Sequence, residues 1–102
     1  MAEQTQARVR SKLELREPKM FAVVVHNDDI TTMDFVVEVL VKVFRKTTAE
    51  GAQIMMNVHE RGKGVAGVYT YDIAVTKKFQ ADMMSREYNF PLKLTVDEAA
   101  GL

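Results

Sequence analysis

The polar tetrapeptide at residues 26–29 (HNDD) interrupts an otherwise apolar stretch of the chain. It follows the apolar residues 20–25 and precedes a segment with helical periodicity, so its side chains lie where a strand ends and a helix begins. A second polar position, His59, falls on a later segment with helical periodicity. Taken separately, the tetrapeptide is typical of a solvated turn and His59 of a hydrogen-bonded core histidine. If the two helices form a hairpin against a sheet, Asn27, Asp29 and His59 lie around one point.

Three hydrogen-bond acceptors at one point favour a particular kind of ligand. Asp29 supplies a carboxylate, Asn27 a side-chain carbonyl and neutral His59 a ring nitrogen. An α-ammonium group matches them with three N–H donors and one positive charge, whereas an internal peptide bond has one donor and no charge. An unmatched buried acceptor costs roughly 1–3 kcal/mol. These residues therefore predict a site for the free amino terminus of a polypeptide.

Methionines accompany the predicted site. Methionine fills irregular gaps in cores, and a core role is the ordinary interpretation of the set Met33, Met55, Met56, Met83 and Met84. In the predicted hairpin, Met33 and Met55 lie close to the acceptors and would form an adaptable apolar hollow. A large first side chain buried there would contribute about 1.5–3 kcal/mol to binding.

The elements that must position these residues follow from periodicity and from turn residues. In order, they are a strand over residues 20–25, helices over 31–46 and 47–62, a strand over 65–71, a helix from 70 or 72 to 88 and a strand over 92–96. Thr31 or Thr32 can cap the first helix, and Thr31-x-x-Asp34 resembles a capping box with Asp in place of Glu or Gln. We expect one α+β domain of the order β-α-α-β-α-β, with a three-stranded antiparallel sheet packed against three helices. Residues 1–19 are predicted to be a mobile tail and residues 20–102 the folded core.

Composition excludes several classes of function. The 14 basic residues are balanced by 14 acidic ones, which argues against a nucleic-acid or membrane partner. The absence of cysteine excludes disulfides, thiolate metal sites and cysteine nucleophiles, and favours a reducing compartment. No secretory leader is visible in the first twenty residues, and no apolar run is long enough to span a bilayer. We therefore predict a cytoplasmic protein without a cofactor.

Two segments of the chain resemble the signatures of the ClpS family, the adaptors of the bacterial Clp protease. They are residues 25–36 (VHNDDITTMDFV) and residues 55–64 (MMNVHERGKG), the second of which contains the V-H-x-x-G-K element. The segments 67–72, 76–77 and 91–92 continue the resemblance, which covers about residues 18–97. Any one motif is weak, but several in the right order and spacing are a strong signal.

The resemblance implies a specific function. ClpS proteins bind N-degrons, which are substrates whose first residue is Leu, Phe, Tyr or Trp, and deliver them to the ATP-driven unfoldase ClpA, which feeds the peptidase ClpP. Carried over, the resemblance implies that Asn27, Asp29 and His59 hold the α-amino group, with Asp28 and Thr31 supporting the site. The residues that would line the side-chain pocket are Val25, Met33, Val36, Met55, Val58 and Leu92.

The resemblance also implies a residue that excludes some first side chains from the pocket and a face that docks on the unfoldase. Met33 would exclude β-branched first residues by steric clash. Lys77 and Asp72 match positions on the family's unfoldase-docking face, and the tail corresponds to the segment used in handing substrates over. Two positions depart from the family pattern. Thr32 stands where many relatives have proline, and His26 replaces an aliphatic residue beside the binding loop, where it would tune packing or the response to pH.

Three other interpretations remain open from the residues alone. His59 with Asp28 or Asp29 could act as a general acid–base pair, but no serine or cysteine nucleophile has a recognisable setting, and we predict that the chain is not an enzyme. His26, His59 and the two aspartates are possible metal ligands, but their spacing matches no metal motif. The third is an interaction module of similar architecture to the C-terminal domain of the ribosomal stalk protein, without a pocket that reads a terminus.

Overall fold

The structure is a computed structural model that describes residues 18–101. Its elements are β1 (Phe21–His26), α1 (Met33–Lys42), α2 (Thr48–Arg61), β2 (Lys63–Tyr69), α3 (Tyr71–Glu87), β3 (Lys93–Glu98) and a short 3-10 helix (Ala99–Gly101). The predicted order β-α-α-β-α-β is confirmed, and so is the α+β class. Most of the predicted tail, residues 1–17, lies outside the described residues.

The three strands form one antiparallel sheet in the order β2-β1-β3. β1 is the central strand, with a paired neighbour at each edge, and its four residues 22–25 are all buried. Val23 and Val25 point to the helices and belong to the main core cluster. A continuous apolar run is typical of such a central strand, whereas the edge strand β2 alternates between exposed and partly covered positions. The buried run in the sequence therefore marks the middle of the sheet.

The first helix begins one residue later than the Thr31-x-x-Asp34 pattern predicts. Thr32 is the N-cap, and its hydroxyl accepts a hydrogen bond from the backbone N–H of Phe35 at 3.2 Å. The capping-box prediction is wrong because the hydroxyl of Thr31 donates to Asp28 in the preceding loop. Thr32 therefore caps the helix at a position where many relatives have proline.

Helix α1 also ends earlier than predicted, at Lys42 rather than Lys46. The backbone N–H of Lys46 donates to the carbonyl of Leu40 at 3.1 Å, and Arg45 has a positive φ of 58°. This reversed turn satisfies carbonyls that the helix leaves without a partner. Val43 and Phe44 remain buried outside the helix, so the apolar periodicity continues past the helix end.

Helix α2 has the boundaries that its local residues predict. Thr47 and Glu50 form a reciprocal capping box, with N–H to side-chain distances of 3.1 Å and 2.9 Å. At the other end, Gly62 has a φ of 87°, a conformation that favours glycine, and it ends the helix as predicted. Strand β2 starts at the next residue, Lys63, two residues earlier than predicted.

A close approach between α2 and β2 depends on Gly64. A Cβ atom at this position would lie 2.9 Å from Cγ2 of Val58 and 3.3 Å from the backbone carbonyl of Ile54. Both neighbours belong to α2, and Val58 is buried in the core, so neither can move away freely. The absent side chain therefore lets the helix lie directly against the strand that follows it.

We predict that Gly64→Ala lowers the free energy of unfolding by about 1–3 kcal/mol, because the extra carbon forces α2 away from β2. Urea denaturation followed by circular dichroism measures this change. Gly101→Ala is the matched control, since a Cβ there meets no atom within 4 Å. Equal stabilities of the two variants would contradict the proposed close approach.

Candidate functional site

The loop between β1 and α1 is joined to the end of α2 by the backbone. The N–H of Asn27 donates to the carbonyl of Gly62 at 2.9 Å, directly beyond the paired residues His26 and Lys63. His59 lies in the last turn of α2, three residues before Gly62. The structure therefore places the loop and the last turn of α2 at the same end of the sheet, as the predicted helical hairpin requires.

The three predicted acceptors at this end are available to a ligand. Asn27, Asp29 and His59 are all exposed. Within the described part of the chain, residues 18–101, their side chains form no hydrogen bond or ion pair. Each side chain can therefore accept a hydrogen bond without first breaking one inside the protein.

Asp28 is engaged within the loop instead. Its Oδ1 accepts from the backbone N–H of Ile30 at 2.9 Å and from that of Thr31 at 2.6 Å, while its Oδ2 accepts from the Thr31 hydroxyl at 2.7 Å. Burial pushes the pKa of Asp28 upward, but the bonds from Thr31 and Ile30 outweigh burial and lower it from 3.8. Asp28 and Thr31 therefore fix the shape of the loop, and their supporting role at the site remains a prediction.

Most of the residues predicted to line the side-chain pocket lie in the core beneath this loop. Four of them belong to the main core cluster and are at most 7% exposed, namely Val25, Val36, Val58 and Leu92. Met55 packs against the same cluster and is partly buried. Met33, the first residue of α1, is 43% exposed. The structure thus brings five of the six together as packed core and leaves Met33 at the surface next to the loop.

Met55 and His59 connect the apolar residues to the acceptors. They are four positions apart on α2 and therefore share one face of the helix. Met55 packs toward the core while His59 reaches solvent in the last turn. Met33 follows directly after the loop as the first residue of α1, so each of the two helices carries a methionine within four positions of a predicted acceptor.

The two residues predicted to dock on an unfoldase have different environments. The Nζ of Lys77 donates to the backbone carbonyl of Val43 at 2.8 Å and so stabilises the end of α1. Asp72 is exposed in the first turn of α3, where a negative charge interacts favourably with the helix dipole. Five positions separate them, which corresponds to about 140° around the helix. Their docking role remains a prediction.

His26 forms a connection that its sequence position did not reveal. Its Nε2 lies 2.8 Å from Oγ1 of Thr95, and that hydroxyl donates to Oδ2 of Asp97 at 3.2 Å. Because the single hydroxyl proton is directed to Asp97, His26 acts as the donor to Thr95. This contact joins β1 to β3 immediately before the loop. Its partner lies 69 positions away in sequence, so no local pattern could have indicated it.

The fold is a small α+β domain, and its predicted acceptors lie where the loop after β1 meets the end of α2. The family model described as "ATP-dependent Clp protease adaptor protein ClpS" matches residues 16–95. The chain belongs to the ClpS family of Clp protease adaptors.

Relatives within this family are similar over most of their length. The ATP-dependent Clp protease adapter protein ClpS of Acetivibrio thermocellus is 47% identical over 97 residues, covering 95% of this chain and 98% of the relative. That of Syntrophus aciditrophicus is 51% identical over 82 residues, covering 80% and 77%. The solved structure of Agrobacterium tumefaciens ClpS2 bound to L-phenylalaninamide has a TM-score of 0.77 and 39% identity, covering 80% of this chain and 99% of that one.

These relatives are named as adaptors rather than enzymes, which agrees with the prediction of a non-enzymatic chain. No group of three or more potential metal-ligating side chains occurs in the region 18–101. Over the same region, no helix has the length and apolar character needed to cross a bilayer.

We predict that Asp28→Asn lowers the free energy of unfolding by about 1 kcal/mol at pH 7, because a charged acceptor makes stronger hydrogen bonds than an amide. The folded-state pKa of Asp28 is lowered, so its contribution is complete above the unfolded-state value near 4 and is lost as the pH falls through the folded-state value. The deficit of the variant should therefore shrink between pH 5 and pH 3 in urea titrations.

Asp34→Asn is the matched control for this experiment. Asp34 is an exposed aspartate in the first turn of α1, and its side chain has no hydrogen-bond partner within residues 18–101. We expect it to show a smaller deficit. A deficit for Asp28→Asn that stays constant from pH 7 to pH 3 would contradict the role of the charge.

Proposed function

We propose that this chain binds the free α-amino group and the bulky hydrophobic first side chain (Leu, Phe, Tyr or Trp) of N-degron substrates and delivers them to a Clp protease. The observation that carries the proposal is the availability of Asn27, Asp29 and His59. All three are exposed and free of partners within residues 18–101, at the junction fixed by the bond from Asn27 to Gly62.

The charge and donor count of the ligand support this choice. An α-ammonium group carries one positive charge, which Asp29 complements, and three N–H donors, which match three acceptors. Charge-assisted hydrogen bonds are about twice as strong as neutral ones. An acetylated terminus or an internal peptide bond retains one donor and no charge, and would leave two acceptors unmatched.

The ligand bound to a relative supports the same proposal, which is binding of a free α-amino group. Agrobacterium tumefaciens ClpS2 was solved with L-phenylalaninamide. This molecule has a free α-amino group, a benzyl side chain and an amide in place of a carboxylate, so it resembles the first residue of a peptide. At 39% identity and with the fold shared, the same chemistry is expected at residues 27, 29 and 59 of this chain.

The first side chain of the substrate would enter between the two helices beside the loop. Met33 and Met55 are the accessible apolar residues there, with Val36 and Val58 buried beneath them. Methionine has three rotatable bonds, so its side chain can move aside to open a hollow and then close on the ligand. Burial of a leucine or phenylalanine side chain would add about 1.5–3 kcal/mol to the binding free energy.

Delivery would use a second surface. The curated relatives are named adapters of an ATP-dependent Clp protease, which supports a ClpA-type unfoldase with ClpP as the partner. Asp72 and Lys77 are proposed as part of the docking face, and the tail before residue 18 as the segment used in handing over substrates. Dependence of that protease on ATP supports the cytoplasm as the site of action.

We predict that a short peptide beginning with Phe or Leu binds with micromolar affinity, and that its N-acetylated twin binds at least about a hundredfold more weakly. Fluorescence anisotropy with a labelled peptide measures both. Asp29→Asn, which keeps the size of the side chain and removes its charge, should weaken binding of the free peptide by about tenfold or more. Equal binding of the acetylated and free peptides would instead indicate an interaction module that does not read the terminus.

We predict that Met33→Ala admits peptides beginning with Ile or Val, because shortening this side chain removes the clash with a branched Cβ. Titrations with peptides that differ only in residue one measure the selectivity. Met56→Ala is the matched control, since Met56 is a similarly exposed methionine, 39% against 43%. Unchanged selectivity in Met33→Ala would exclude its role as a gate.

A further inference from the structure

Strand β2 lies at one edge of the sheet, and part of that edge is open. In the part of the chain that the structure describes, β2 pairs only with β1. Because the N–H of Asn27 bonds to the carbonyl of Gly62, Gly62 points toward β1, and this direction alternates along an antiparallel ladder. Lys63 and Val65 therefore direct their backbone N–H and C=O groups away from β1. The β-bulge that follows Val65 limits the regular open stretch to these two residues and the one between them.

The two edges of the sheet differ in how they are protected from pairing with another chain. Strand β3, at the other edge, ends in the exposed charges Asp97 and Glu98, and charges of this kind discourage pairing. Residues 64–68 of β2 carry no charge, and Val65 and Val68 are 41% and 47% exposed. Of the two edges, β2 is therefore the one open to an added strand.

A groove with a volume of about 560 Å³ lies along the open stretch. Its walls include Asn57 and Arg61 on α2 and Lys63, Gly64 and Val65 on β2. Neither cation forms an ion pair with another of the described residues. No acidic side chain among those residues lines the groove. Two positive charges beside open backbone groups favour an anionic ligand that also has a backbone.

From these features we propose that the open edge of β2 binds an extended acidic segment of a partner protein as an added antiparallel strand. Antiparallel pairing is slightly more stable per residue than parallel pairing. The added strand would bond to both N–H and both C=O groups of Lys63 and Val65. In this mode of recognition the main-chain bonds supply affinity, and alternate side chains supply specificity.

The charges around the groove select a sequence for that segment. A Cβ at Gly64 would meet Val58 of α2, so the neighbouring residues Lys63 and Val65 point away from the helices. Arg61 approaches from the helix side. An antiparallel strand would therefore carry, in chain order, an apolar residue opposite Val65, an acidic residue on the side of Arg61 and an acidic residue opposite Lys63. The simplest such sequence is Val-Glu-Glu.

Charge separates this partner from two other ligands. Two copies of the chain paired through the same edge would bring the cations of both copies together, which is unfavourable. The proposed amino-terminus site takes a positively charged ligand, and its His59 lies about 200° around α2 from Arg61. The two sites call for ligands of opposite charge on different faces of the helix, so this inference is independent of the proposed function.

Fluorescence anisotropy with the full chain tests the proposal. The probe is a short peptide with Val-Glu-Glu at its centre, capped at its amino end by fluorescein so that it has no α-amino group. We expect a dissociation constant of about 50–500 µM at low salt. A probe with Val-Gln-Gln should bind about tenfold more weakly, and the reversed sequence Glu-Glu-Val about fivefold more weakly.

Methylated probes separate strand pairing from simple attraction between charges. In the bound strand the N–H groups of the valine and of the second glutamate point to β2, and that of the first glutamate points away. N-methylation of the valine should weaken binding by about tenfold or more, whereas N-methylation of the first glutamate should leave it within about threefold. The two methylated probes have the same composition and charge and are therefore a matched pair.

Variants of the protein test the two cations. Arg61→Glu and Lys63→Glu should each weaken binding of the Val-Glu-Glu probe by about fivefold or more. Arg86→Glu is the matched control, because it makes the same change of charge at an exposed position on α3 outside the groove, and its effect should stay below about twofold. The double variant Arg61→Glu with Lys63→Glu should bind a Val-Lys-Lys probe within about threefold of the original pair. A folding defect would not be repaired in this way.

Each of four results would overturn the proposal. Absence of binding at millimolar concentration would exclude the site, and equal binding of the two methylated probes would leave attraction of an anion without strand pairing. Failure of the double variant to bind the Val-Lys-Lys probe would exclude the assigned cations. Displacement of the probe by an unlabelled peptide that begins with a free Phe would place it at the amino-terminus site instead.

Discussion

The hydrogen bond from the backbone N–H of Asn27 to the carbonyl of Gly62 determines where the candidate site lies. It extends the pairing of β1 with β2 by one step beyond His26 and Lys63. Because Gly62 is also the last residue before β2, this one contact joins the polar loop to the helix that carries His59. The acceptors come from segments about thirty residues apart in sequence and are held together by backbone pairing rather than by side chains.

Polar residues in the loop divide into fixed and free groups. Asp28 and Thr31 bond within the loop and set its shape, while Asn27 and Asp29 point to solvent without a partner in residues 18–101. His26 secures the strand that leads into the loop through Thr95. A loop ordered before its ligand arrives loses less conformational entropy on binding, which increases the affinity available from a few hydrogen bonds.

The sequence predicts those features that depend on neighbouring residues. The start of α2 at residues 47–48, its end at Gly62 and the burial of the first strand were predicted, because caps, positive φ and apolar runs act locally. The end of α1 was not, since Val43 and Phe44 keep the helical periodicity while the chain already turns. Lys77 and Val43, 34 positions apart, meet only because the topology brings α3 beside α1.

The predicted acceptors and the predicted pocket residues are not equally easy to recognise. An exposed Asn, Asp or His is recognisable as unpaired once the fold is known. Val25, Val36 and Val58 have the same residue type and burial whether they fill a core or form the floor of a closed pocket. Sequence alone therefore cannot divide them between the two roles.

Helix α2 and strand β2 are separated by the single residue Gly62. An added residue at this joint would rotate His59 by about 100° relative to the strand and shift the register of every pair that follows. A chain lengthened at Gly62 should therefore keep a sheet and a helix but no longer present its histidine to the loop.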